Sequence, residues 1–241
     1  MFDTGNVPNA DPTALPTRLS NVVEPAATMV ANDDRLLPTV AALRPLLPDG
    51  GLRRGSTINI QGVGATSLAF ALLAEINAAG AWCAAVGFDS LGLLAARHAG
   101  LTLSRFVLVP NPGRDWPTIV AALLDAFEIV LLQPPSRSSL KLQRRLAARI
   151  RERDRVLVSL GAQEPPGMSS DVRLIGTTSV WEGLGWGFGH LRSRQLQVRA
   201  EGRRLAGRPR HATVWLPDPD GHVTSTLFHV RDRPTLVEAS A

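Results

Sequence analysis

The chain has 241 residues, 44% of them hydrophobic, and a formal net charge of +5. That length and composition fit one large domain with a sizeable core, and no apolar run approaches the roughly 20 residues of a membrane span. All 26 basic residues except Lys141 are Arg, a bias that a GC-rich genome explains as well as nucleic-acid binding does, so where the charge sits matters more than its total.

Segment 1–32 has four prolines and no basic-then-apolar pattern. It reads as a flexible segment and not as a signal peptide. A domain over 33–230 and a flexible tail over 231–241 are expected to follow. Leu36–Leu47 carries Pro38 and Pro45 and predicts a short, broken helix. Ser56–Gln61 predicts a strand. Thr66–Ala79 predicts a helix capped by Thr66 or Ser67 and closed by Gly80. Ala81–Gly87 is a buried strand, and Leu91–Ala99 a helix ended by Gly100. Arg105–Val109, Glu128–Leu132 and Arg155–Leu160 predict further strands, with helices at Trp116–Phe127 and Ser138–Arg153 between them. Strands alternating with helices predict a parallel sheet covered on both faces. The pattern then changes. Gln163–Ser170 is a loop, and Val172–Ile175 is a candidate strand. From His190 on, short strands at Gln195–Arg199, His211–Leu216 and Val223–Val230 predict an antiparallel extension. The single cysteine, Cys83, lies in an apolar run and reads as a buried, inert thiol in a reducing cytoplasm.

The most informative turn is Gly62-Val63-Gly64-Ala65-Thr66-Ser67, between the first core strand and its helix. A phosphate-binding loop of the form G-x-x-x-x-G-K-[ST] puts backbone N–H groups around the phosphates and a Lys on the β/γ-phosphates. Here one residue separates the glycines, and Ala65 stands where Lys should. The simplest reading of the two glycines is a tight strand-to-helix turn with no ligand.

The order of elements resembles the RecA-like ATPase core from about Leu36 to Arg204, which implies an α/β fold: a RecA-like P-loop NTPase core with a mainly parallel sheet and a C-terminal antiparallel hairpin extension. Asp49-Gly50-Gly51-Leu52-Arg53-Arg54-Gly55-Ser56 is similar to the family's Gly-Gly-Leu-x-x-Gly lead into the first strand. The resemblance places Asp89 on the glutamate that activates the attacking water. It places Gln133 where an Mg²⁺-linked Asp would stand, and Arg155–Leu160 on the strand carrying a γ-phosphate sensor. With the Lys and that acid replaced, the charge stabilisation that phosphoryl transfer requires is gone. No catalytic residue and no cofactor are therefore expected. Asp89 reads as a residue at a helix start, near its positive dipole end. The histidines lack ligand spacing, so no metal is expected.

More narrowly, the chain resembles the actinobacterial ImuA-type (ImuA′) accessory proteins of the SOS mutasome. The residues that carry this are the lysine-free turn, the block Trp181-x-Gly-Leu-Gly-x-Gly-x-Gly, and Leu191-Arg192-x-Arg194 after it. The resemblance implies a non-catalytic subunit in translesion synthesis and induced mutagenesis. Its partners would be an ImuB-like inactive Y-family polymerase homologue and an error-prone replicative-type polymerase. The alternative is a DNA-stimulated ATPase with a remodelled loop.

Two kinds of surface are candidates. Trp181, Gly183, Gly185, Trp186 and Trp215 are candidate partner-binding residues, because Trp supplies large contact area at interfaces. Arg192–Arg210 holds seven arginines against the single acid Glu201, and Arg192, Arg194, Arg199, Arg203 and Arg204 are candidates for single-stranded DNA phosphates. The helix at Ser138–Arg153 offers a second basic face with Lys141, Arg144, Arg145, Arg149, Arg151 and Arg153 over a stripe of Leu142, Leu146 and Ile150. Self-association is a further candidate.

Overall fold

Short apolar runs bounded by Gly and Pro become the strands of a large, mostly parallel sheet. The structure, a computed structural model, describes residues 35–134, 140–161, 169–184 and 188–226, all within the unit Asp34–Ala241. Two short strands, β1 (Leu36–Leu37) and β2 (Leu52–Arg53), pair antiparallel away from the main sheet. Then come β3 (Thr57–Gly62), α1 (Ala65–Ala78), β4 (Cys83–Val86), α2 (Leu93–His98), β5 (Phe106–Val109), α3 (Trp116–Ala126), β6 (Ile129–Leu132), α4 (Leu140–Glu152) and β7 (Val156–Leu160). The chain ends in β8 (Val172–Leu184), β9 (Gly189–Glu201), β10 (Arg210–Trp215) and β11 (Thr224–Ser225). The main sheet runs β11-β10-β9-β8-β3-β7-β6-β4-β5 among the described residues. From β8 to β5 the strands are parallel, and β9, β10 and β11 add antiparallel.

Side chains alternate across the strands with a period of two, so each strand feeds two cores. Ile129 and Leu131 join a core with α1, while Val130 and Leu132 join a second core with α3 and α4. α1 is buried along most of its length, from Leu68 to Ala74 and at Ile76. An apolar helix with so little polar face belongs in an interior. α4 is the opposite case. Leu146 and Ile150 are buried, and its basic residues point outward.

Three local expectations are corrected. Leu36–Leu47 is no single broken helix: Leu36–Leu37 is a strand, followed by a 3-10 helix at Ala41–Leu46. The cap of α1 is neither Thr66 nor Ser67 but Gly64, with φ 71°. The strand expected at Val172–Ile175 continues through the tryptophan-glycine block to Leu184 and pairs with all of β9. Its glycines hid a hairpin arm from the strand pattern, because glycine carries no side chain to show the alternation. Segments 1–32 and 231–241, and the end of the Val223–Val230 strand, lie outside the described residues.

The Cys83 thiol is buried, which pushes its pKa up to about 12; a hydrogen bond with Asn77 opposes the shift and Glu128 adds to it. The ordinary value is 9.0, so the unfolded chain loses this proton first as pH rises. The contribution to stability is complete below pH 9 and lost through about pH 12. At pH 8 a disulfide reagent should label the native protein at least about tenfold more slowly than the guanidinium-unfolded chain. Equal labelling rates would contradict the burial.

Candidate functional site

The turn from β3 to α1 lies flat against β8. Gly62 is in register with Gly176, and the Val63 N–H donates to the Gly176 carbonyl at 3.0 Å. The approach is close enough to demand glycine on both sides. A Cβ on Gly62 would lie 2.2 Å from the Gly176 carbonyl oxygen, and one on Gly176 only 1.9 Å from that of Val63. A phosphate nest needs successive N–H groups facing a ligand; here the middle one is consumed by the ladder. Gly176 escaped the sequence reading, although a glycine inside a β-run is the usual sign of close backbone approach.

Beside the turn, the fold gathers residues that are far apart in sequence. Thr66, Asp89, Ser90 and Gln133 share a cavity of about 430 Å³ with Ala65 and Gly161. It lies beyond the carboxyl ends of β3, β4, β6 and β7, where open α/β sheets bind ligands. No Lys or Arg is among its described lining residues. Asp89 and Gln133 also border a neighbouring cavity of about 410 Å³ lined by Pro110 and Trp116. The first site can offer hydroxyl, amide and carboxylate groups but no cation from these residues.

On the other side of the turn, a β-bulge decides what meets α1. The β8–β9 register shifts between Gly176 and Thr178. Before the bulge Leu174 and Gly176 pair with Ala200 and Val198; after it Ser179 and Trp181 pair with Leu196 and Arg194. The extra residue changes the parity, so Trp181 takes the face that carries Leu196 and Val198 into the core. Its ring stacks on the Arg194 guanidinium, with Cζ 4.9 Å from the ring centroid. Arg194 is only 7% exposed, and its Nε donates to the Leu216 carbonyl at 2.9 Å. Burial holds its pKa below the usual guanidinium value. The guanidinium rests against Gly64: its terminal nitrogens lie 3.2–3.3 Å from where a Gly64 Cβ would stand.

The candidate DNA-binding arginines therefore divide. Arg194 is buried under Trp181, with its Nε engaged by the Leu216 carbonyl. Arg199 pairs with Glu201 at 3.1 Å, and Arg203 and Arg204 pair with Asp171 at 3.2 and 3.5 Å. Asp171 stands well upstream of the arginines, so a local charge count misses it. Arg192 stays exposed. Arg149 of α4 and Arg153 just past its end converge on Asp125, whose carboxyl is held below its ordinary range chiefly by the hydrogen bond from Arg149. Lys141, Arg144, Arg145 and Arg151 make no ion pair among the described residues, so α4 keeps the freer basic face.

The candidate partner residues divide as well. Trp215 is 6% exposed and serves the interior. Gly185 and Trp186 lie outside the described residues. Gly183 has φ 102° and lies against the His190 carbonyl, where a Cβ would come within 2.3 Å. Trp181 remains 42% exposed, and Val180, Leu184, Phe188 and Leu191 leave the same arm apolar toward solvent.

Residues 45–166 match the family described as MT3502 N-terminal domain. The chain is 32% identical over 145 residues to the uncharacterized protein Rv3395c of Mycobacterium tuberculosis, an alignment covering 58% of this chain and 71% of that protein. The chain belongs to the MT3502 N-terminal domain family. The family match runs through β7 and stops before the β8–β9 arm.

Gly176→Ala separates close approach from backbone freedom, because Gly176 has no positive φ. Overpacking against the Val63 carbonyl should destabilise by about 2 kcal/mol, roughly 4–8 °C in Tm. Gly92→Ala, whose Cβ would meet nothing nearer than 3.6 Å, should change stability by less than about 1 kcal/mol. Thermal melts of the two variants check this; equal behaviour would mean that the turn is not held against β8.

Proposed function

We propose that this chain is a non-catalytic, RecA-like accessory subunit of a DNA-damage-tolerance complex. The observation that carries the reading is the β3–α1 turn: it has no lysine, and its amide is committed to β8. A RecA-like core built this way keeps surfaces and gives up the phosphate switch. The ImuA-type resemblance supplies the partner class, an ImuB-like inactive Y-family polymerase homologue beside an error-prone replicative-type polymerase. The apolar β8–β9 arm, with Trp181 half exposed at its base, is the surface offered to that partner. The free basic face of α4 is the better candidate for single-stranded DNA, because exposed ion pairs already offset Arg199, Arg203 and Arg204.

A second reading rests on one observation. Thr66, Asp89 and Gln133 do meet in one cavity, so a remodelled nucleotide site would have a place to be. Ligand bound only by the folded state raises Tm, and Mg-ATP should therefore leave Tm unchanged on the first reading and raise it on the second.

The purified protein should show no ATP turnover above background, with or without single-stranded DNA. Turnover that disappears in Thr66→Ala or Asp89→Ala would overturn the non-catalytic reading. Affinity capture from DNA-damaged cells should recover the polymerase homologue, and Trp181→Ala should weaken that association roughly thirtyfold, the equivalent of about 2 kcal/mol at an interface hot spot. Full association by a folded Trp181→Ala protein would move the interface off the arm.

A further inference from the structure

A buried cation and a helix N-terminus face the same small space. α1 has 14 residues and starts at Gly64 with no side-chain cap. Its first-turn N–H groups carry the positive end of the helix dipole. Arg194, 7% exposed, lies against that same residue. Apart from Nε on the Leu216 carbonyl and the Trp181 ring, its side chain has no hydrogen bond or ion pair among the described residues. With no counter-charge among the described residues, these two positive groups lack the partner that a buried charge requires. Ser67, in the first turn of α1, and Arg194 line one cavity of about 190 Å³, whose other walls include Phe70, His98, Ala99, Trp181 and Val223.

We infer that this cavity is a docking pocket for an acidic side chain of a protein partner, an Asp or Glu flanked by an apolar residue. The charge argues for a carboxylate: one guanidinium and one helix end balance a single negative charge. The walls argue for a peptide, since they are mostly carbon, with Phe70, Ala95, Ala99, Leu216, Pro217 and Val223 among them. A nucleic-acid strand would need further cations along the rim, and Arg192 is the one arginine that the arm itself exposes among the described residues. The inference rests on the reading of the protein as a docking subunit and names the chemistry of the group that docks.

The test is a selection from a displayed random dodecapeptide library on the full chain, with Arg194→Met as the counter-target. Selected peptides should share an Asp or Glu at one fixed position beside an apolar residue. Exchanging that acid for its amide should cost at least about tenfold in affinity, as should Arg194→Met. Since Arg194→Met could unfold the protein, Ser67→Asp is the second variant. A carboxylate there supplies the missing charge from within. It should raise Tm and abolish peptide binding, and the gain in Tm should shrink in the Arg194→Met background. Peptides without an acidic consensus, or acidic peptides that bind Ser67→Asp undiminished, would overturn the pocket. Oligothymidylate binding that depends on Arg194, with no acidic peptide selected, would overturn it in favour of a phosphate site. Capture of the polymerase homologue that survives Ser67→Asp would place docking elsewhere and leave the accessory-subunit reading intact. Acidic peptides selected while that capture fails would sink the damage-tolerance reading and leave the pocket standing.

Discussion

The approach of the β3–α1 turn to β8 is the contact on which the rest of the site depends. Two backbones meet at Gly62 and Gly176 with no room for a Cβ on either. The Val63 amide is spent on the Gly176 carbonyl, so this N–H of the turn does not face a ligand. The same contact fixes where β8 leaves the parallel sheet. The bulge immediately beyond it turns Trp181 toward α1, and Arg194 follows as the cross-strand neighbour. One steric constraint thus commits the turn's amide to the sheet on one side and sets Arg194 against the start of α1 on the other.

The electrostatics follow from that geometry more than from the net charge. Arg173, Arg199, Arg203 and Arg204 are tied to Glu201 and Asp171 at the sheet surface. Exposed pairs of this kind add little stability, but they lower the local positive field. Arg194 is different in kind, because it is buried with no counter-charge beside it among the described residues. A cation kept in that state beside a helix N-terminus concentrates binding potential at one point, whereas the arginines of α4 spread theirs over a solvated face.

The division of the protein into two cores also positions function. The α1 core extends beneath β8, β9 and β10 through Leu174, Leu196, Val198 and Val214. The α3–α4 core holds strand residues from β4, β6 and β7. The antiparallel arm therefore leans on the same helix whose N-terminus borders both cavities. Residues of α1 line both cavities, Ala65 and Thr66 in one and Ser67 and Phe70 in the other.

Much of the scaffold was legible in the residues themselves. Ser56–Gln61, Ala81–Gly87, Arg105–Val109, Glu128–Leu132 and Arg155–Leu160 all become strands near those limits, because buried parallel strands are short apolar runs and Gly or Pro ends them. The absence of Lys from the turn was equally plain, as was the amphipathic α4. Local sequence could not show the β8–β9 arm in full, since its glycines erase the alternation that marks a strand. Nor could it show the pairing of Gly62 with Gly176, the shift in parity at the bulge, or the ion pairs of Asp171. Those depend on which strands become neighbours, and strand neighbours are chosen by the packing of the whole sheet. Arg194 is the clearest case. As a residue in a basic run it reads as a surface charge, and only the tertiary fold, by placing Trp181 over it and Gly64 beneath it, makes it a buried cation without a counter-charge among the described residues.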